Sequence, residues 1–263
     1  LADFPLTEVT QWVQSTGATI TAGATAHVKG AWAEHWASTP FEFQGLYLDV
    51  LPNTNVNYLL DIGIGPAASE VVIISNMYFC RAHVRSRMFF PIPIIIPKGS
   101  RVVARCQSST ASVTFYAVMY GYALGFKSAQ SLSRCLTLGD DPSLSRGTLI
   151  DPGAVANTKG AWVPFSTSIS FPVSHVIVSL GNNLNNIMSN CSWWLDIGIG
   201  ADGSEKVVVP DLYFLGATTE NLFPDVFSIP VSLPKGERLS MRASCTITNT
   251  IDRLFRATLH LLS

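Results

Sequence analysis

Apolar and polar residues alternate along this chain with a period of two, in short runs. Over residues 112–120, Val113, Phe115, Ala117 and Met119 fall on one side of the alternation, as in a strand with one buried face. Similar β-rich runs recur at intervals of roughly 8–15 residues, separated by clusters of Gly, Pro, Asn and Ser. No stretch combines sustained apolar spacing at i, i+3, i+4 and i+7 with helix caps. Strands are predicted near residues 18–21, 31–36, 45–51, 58–64, 70–75, 89–94, 101–107 and 112–120. A second series is predicted near 162–166, 175–180, 193–199, 205–209, 227–231, 238–243 and 254–261.

The two series are linked by repeated words. Leu-Asp-Ile-Gly-Ile-Gly at 60–65 returns at 195–200, Lys-Gly-Ala-Trp at 29–32 returns at 159–162, and Pro-Lys-Gly at 97–99 returns at 234–236. The landmarks keep their order, and their offset drifts by only a few residues. Solenoid and propeller repeats are shorter, roughly 20–50 residues, so this repeat has the length of a whole domain. The expected fold is all-β: two tandem jelly-roll-like β-sandwich domains from an internal duplication. An immunoglobulin-like sandwich fits less well, because its Cys…Trp…Cys spacing is missing. The expected boundaries are a leader or docking arm at 1–15, a first module at 16–125, a linker at 126–148 and a second module at 149–263. Gly139-Asp140-Asp141-Pro142-Ser143 marks the turn-rich centre of that linker.

Composition narrows the function. Charged residues make up 13% of the chain and hydrophobic residues 48%, against a usual charged share of about 25%. Part of the surface is therefore expected to meet protein rather than water. A net charge of −1 offers no basic face for a nucleic acid, and no apolar run reaches the roughly 20 residues of a membrane-spanning helix. The five cysteines show no C-x-x-C spacing, so reduced and mostly buried thiols are expected.

The repeated landmarks are the candidate site residues. Asp61, Gly63 and Gly65, with Asp196, Gly198 and Gly200, superficially resemble a phosphate loop, but a strand follows them where such a loop needs a helix. The structural reading has the glycines admitting a close neighbour and the aspartates, with Glu70 and Glu205, bonding loop backbone. Calcium shared by Asp61 and Glu70, with Asp196 and Glu205 as its twin, is the competing reading, with few acidic ligands. Trp32 and Trp162 occupy matched positions and are expected to anchor the two cores. Trp36, in Glu34-His35-Trp36, is the candidate for carbohydrate contact. The histidines are unmatched between copies, without H-x-x-x-H or H-E-x-x-H spacing, and no G-x-S-x-G elbow occurs. No catalytic residue, cofactor or metal ligand is assigned, and no enzyme is expected.

The unit carried by residues 29–32, 60–72, 89–96 and 97–105, repeated at 159–162, 195–207, 223–231 and 234–242, resembles a module of virion structural proteins in tailed bacteriophages. That resemblance implies sandwiches on the particle surface, as a capsid decoration (cement) protein or as a fibre or tail appendage. It implies assembly in the host cytoplasm and partners among viral capsid or appendage subunits. A symmetric homo-oligomer is expected, a trimer first, without nucleic acid or membrane. A host glycan is the alternative ligand for an appendage.

Overall fold

The computed structural model describes residues 11–52, 54–80, 88–123, 132–182, 191–217, 220–223, 226–248 and 253–263. Among them every regular element is a strand. The first nine are β1 (Gln11–Gln14), β2 (Ala18–Thr21), β3 (Ala33–Trp36), β4 (Gly45–Pro52), β5 (Asn57–Ile64), β6 (Val71–Cys80), β7 (Met88–Ile92), β8 (Val102–Ser108) and β9 (Thr114–Ala123). In sheet 1, β9 pairs with β1 and β2 on one side and β4 on the other, and β7 lies beyond β4. Sheet 2 runs β3-β8-β5-β6. With β2-β9-β4-β7 facing β3-β8-β5-β6, this is a jelly roll.

The second half repeats the path. Its strands are β10 (Cys135–Leu138), β11 (Asp140–Asp141), β12 (Arg146–Ile150), β13 (Val163–Ser166), β14 (Val173–Asn182), β15 (Cys191–Ile199), β16 (Lys206–Ala217), β17 (Glu220–Phe223), β18 (Val226–Leu233), β19 (Leu239–Cys245) and β20 (Phe255–Leu262). In sheet 3, β20 pairs with β10 and β12 on one side and β14 on the other, with β18 beyond β14 and β11 outside β12. Sheet 4 runs β13-β19-β15-β16-β17. Registers correspond as well as orders. Asp61 lies opposite Arg105 as Asp196 lies opposite Arg242, and Leu48 lies opposite Phe90 as Val178 lies opposite Phe227.

Alternation explains the layers. In β5, Tyr58, Leu60 and Ile62 point into the core between sheets 1 and 2, where Tyr58, Phe79 and Phe115 pack ring on ring. In β15, Trp193, Leu195 and Ile197 fill the core between sheets 3 and 4, with Trp193 stacked on Phe214 at 5.1 Å. The expected apolar face of β9 is also internal: Phe115, Ala117 and Met119 are all buried.

The two sandwiches stack, so the layers run 1-2-3-4. The back of sheet 2, with Leu59, Tyr78 and Cys80, lies against the back of sheet 3, where Ile177, Ser179, Thr258, His260 and Leu262 are buried. The Tyr78 ring sits over Gly181, where a Cβ would come within 2.5 Å of it. Much of this joint is polar and hydrogen-bonded. Thr137 Oγ1 donates to the Ser75 carbonyl (2.5 Å) and lies 3.0 Å from His260 Nδ1. Asn76 donates to Asp140 (2.7 Å), and Gln107 donates to the Pro142 carbonyl (2.6 Å) and to Ser145 Oγ (3.0 Å).

The stretch read as a linker is only partly one. Residues 135–138 form β10, in antiparallel register with Leu259–Leu262 of β20, and β12 begins at Arg146. The second sandwich takes these strands because each half of β20 needs a partner on its open edge. Within the predicted leader, β1 pairs with β9 of its own sandwich, while residues 1–10 lie outside the described residues.

Candidate functional site

The repeated Asp-x-Gly words form a structural cradle. On the back of sheet 2, Asp61 Oδ1 accepts from Lys29 Nζ (2.7 Å) and from the Asn76 amide (2.9 Å), and its Oδ2 accepts from Arg105 Nε (3.0 Å). On the back of sheet 4, Asp196 repeats this with Lys159 (2.7 Å), the Asp211 amide (3.1 Å) and Arg242 (3.0 Å). The amides point inward because β6 and β16 each carry a bulge, with Asn76 and Asp211 at φ 51° and 49°. Asn and Asp tolerate that left-handed conformation better than most residues. Burial alone would raise the Asp196 carboxyl pKa, but the bonds from Lys159, the Asp211 amide and Arg242 outweigh it and hold the pKa below its ordinary value. Burial lowers the Lys29 pKa despite the opposing pull of Asp61.

Trp32 and Trp162 belong to this cradle rather than to the cores, which corrects the sequence expectation. Each is half-buried outside its sandwich. Arg105 lies over Trp32 at 4.3 Å and Arg242 over Trp162 at 4.4 Å. The indoles cross the strands at Gly63 and Gly198, where a Cβ would come within 2.9 Å of Trp32 and 2.6 Å of Trp162. The glycines therefore make room for tryptophan, not for phosphate. Gly65 and Gly200 adopt φ 117° and 113° at the turns that follow.

The acidic partners are engaged separately. Glu70 pairs with Arg101 at 2.8 Å, and Arg101 also reaches Glu34 at 2.6 Å. The hydrogen bond from Arg101 lowers the Glu70 pKa. Glu205 pairs with Arg238 at 2.5 Å. Among the described residues no group of three or more His, Cys, Asp or Glu side chains could hold a metal ion. A cleft of about 620 Å³ opens beside Ile64, Gly65, Val71 and Arg101, but its one cation is the Arg101 already bound by Glu34 and Glu70. None of the five cysteines is disulfide-bonded, and four are buried.

Trp36 is also corrected. It is 9% exposed and packs edge-on against Phe43 at 5.1 Å, leaving no face for a sugar. A register shift between Glu34 and Trp36 in β3 turns both His35 and Trp36 inward.

Among the described residues, the most exposed aromatic surface lies on the outer face of sheet 1. Trp12, 54% exposed, stacks on Tyr47 at 5.6 Å and meets Tyr122 at 5.1 Å. Tyr116 and Leu51, paired across β9 and β4, are 47% and 45% exposed. Sequence reading followed the buried alternation of β9 and passed over its complement, Tyr116, Tyr120 and Tyr122. A smaller patch lies on the outer face of sheet 4, where Trp194 meets Tyr213 at 5.7 Å beside Leu215. Tyr213 and Leu215 are 48% and 41% exposed.

No protein-family model matches the chain, and no curated protein matches its sequence. Similar solved structures include a peptide-N(4)-(N-acetyl-β-D-glucosaminyl) asparagine amidase, 8% identical over 96% of each chain with a TM-score of 0.39. They also include infectious bursal disease virus, Gt strain, 13% identical over 97% of this chain and 72% of that one, with a TM-score of 0.24. At these scores neither likeness carries an argument about activity.

Proposed function

We propose that this chain is a non-enzymatic structural protein of a tailed-phage virion, a capsid decoration protein that works by packing its surfaces against neighbouring subunits. One observation carries the reading. A four-layer body presents a face of Trp and Tyr, residue types enriched where proteins meet, while the repeated charged residues are engaged in holding strands together. Antibody labelling of intact particles, viewed by electron microscopy, tests it. Label spread over the head supports decoration, label confined to tails or fibres moves the role to an appendage, and particles without label overturn it.

The Trp12–Tyr47 stack favours a second reading, a fibre or tail appendage that binds host-surface carbohydrate, because exposed flat rings suit the apolar faces of sugars. Glycan-array binding that disappears in Trp12→Ala supports it. No binding at high protein concentration removes it.

A further inference from the structure

The joint between the sandwiches has two unmatched halves at the ends of the molecule. Phe115-x-Ala117 of β9 and Phe255-x-Ala257 of β20 face their cores alike, which aligns the two strands. Tyr116 opposite Leu51 in sheet 1 is then the counterpart of Arg256 opposite Gly181 in sheet 3. In the same way Tyr47 opposite Tyr120 matches Ile177 opposite His260. On the other side of the joint, Leu59 opposite Tyr78 in sheet 2 matches Trp194 opposite Tyr213 in sheet 4.

Burial separates several of these counterparts, while Tyr47, Tyr120 and Trp194 are half-buried. Tyr78 and Leu59 are fully buried and Cys80 is 4% exposed, whereas Tyr213 and Leu215 stand 48% and 41% exposed on sheet 4. Ile177 and His260 are fully buried and Arg256 is 8% exposed, whereas Tyr116 and Leu51 stand 47% and 45% exposed on sheet 1. The positions that meet inside the chain thus recur at its ends with larger and more aromatic side chains, several of them exposed.

We propose that the outer face of sheet 4 in one copy docks on the outer face of sheet 1 in the next, through the positions at which sheets 2 and 3 meet within one chain, but with a wider spacing because Leu51 stands where Gly181 seats the Tyr78 ring. The occupant of each face is therefore a second copy of this chain. The contact is head-to-tail, because the surfaces differ, and such contacts generate rings when the rotation closes and filaments when it does not. The idea deepens the packing function proposed above but does not depend on the particle, since it concerns the purified chain alone.

Sedimentation velocity on the purified full chain tests it, with Leu51→Arg and Leu215→Arg as variants at exposed positions. Wild type is expected to associate beyond the monomer with rising concentration, and each variant alone to weaken that association by about a hundredfold. An equimolar mixture is expected to form a dimer that grows no further, because each variant keeps the face the other lacks. Tyr116→Glu and Tyr213→Glu repeat the design where an arginine perturbs folding. A wild type that stays monomeric, a dimer broken by one variant but not the other, or a mixture that fails to pair overturns the proposal. Particle labelling without self-association, or the reverse, separates this proposal from the virion reading.

Discussion

At the scale of single residues, the two aspartate cradles differ in one partner, and that difference is measurable. Asp61 stands between Lys29 and Arg105, while Asn76 beside it is neutral. Lys159 has a second anion, the exposed carboxylate of Asp211 at 2.7 Å. Removing one partner from a buried pair leaves the other charge uncompensated. Asp61→Asn is therefore expected to cost about 2–4 kcal/mol, and Asp196→Asn less, because Lys159 keeps Asp211. Urea unfolding midpoints check this, and equal losses would show that Asp211 contributes nothing. The glycines under the indoles give a second test. A methyl group at Gly198 meets Trp162 at 2.6 Å and one at Gly63 meets Trp32 at 2.9 Å. Both alanine variants are expected to destabilise by about 1–3 kcal/mol through overpacking, with Gly198→Ala the worse. The reverse order in thermal melts would show that Trp162 moves aside more easily than Trp32.

At the scale of elements, the sequence makes legible what depends on local alternation and hides what depends on a partner strand. The core strands β4, β5, β8 and β9 alternate clearly, and the repeated landmarks fall at matching registers. β10 carries no such signal: all four of its residues are half-buried, so no face stands out, and only the open edge of β20 calls for it. The polar neighbours Glu34 and His35 suggest an exposed Trp36, but the register shift in β3 turns His35 and Trp36 inward together. Trp32 and Trp162 were misplaced for another reason. Matched positions in a repeat mark equal surroundings, and here those surroundings are an arginine and a bare glycine outside the core. The aromatic face of sheet 1 was legible in principle, because Tyr116, Tyr120 and Tyr122 alternate with the buried residues of β9.

At the scale of the whole molecule, buried histidines tie stability to pH. Burial pushes the pKa of His260 down to about 3 and that of His35 down to about 4. Above the unfolded value of about 6.5 both are neutral in either state and stability is at its full level. Below it the unfolded chain binds protons that the folded chain refuses, so stability falls as pH drops from about 6.5 towards 4. The slope is roughly 1.4 kcal/mol per pH unit for each histidine. Chemical denaturation at pH 7 and pH 5 measures the loss, and His260→Gln is expected to reduce it, with His35 and the also lowered His175 carrying the rest; an unchanged slope would place the proton uptake elsewhere. The joint where His260 sits also guards the chain against its own copies. Trp194 is larger than its counterpart Leu59, and Leu215 is larger than its counterpart Cys80. A neighbouring molecule's sheet 4 is thus a poor counterfeit of sheet 2, too thick for the seam beside Gly181. Crowded chains made together would then sort by thickness: each second half keeps its own first half, and the docking proposed above is left to the ends.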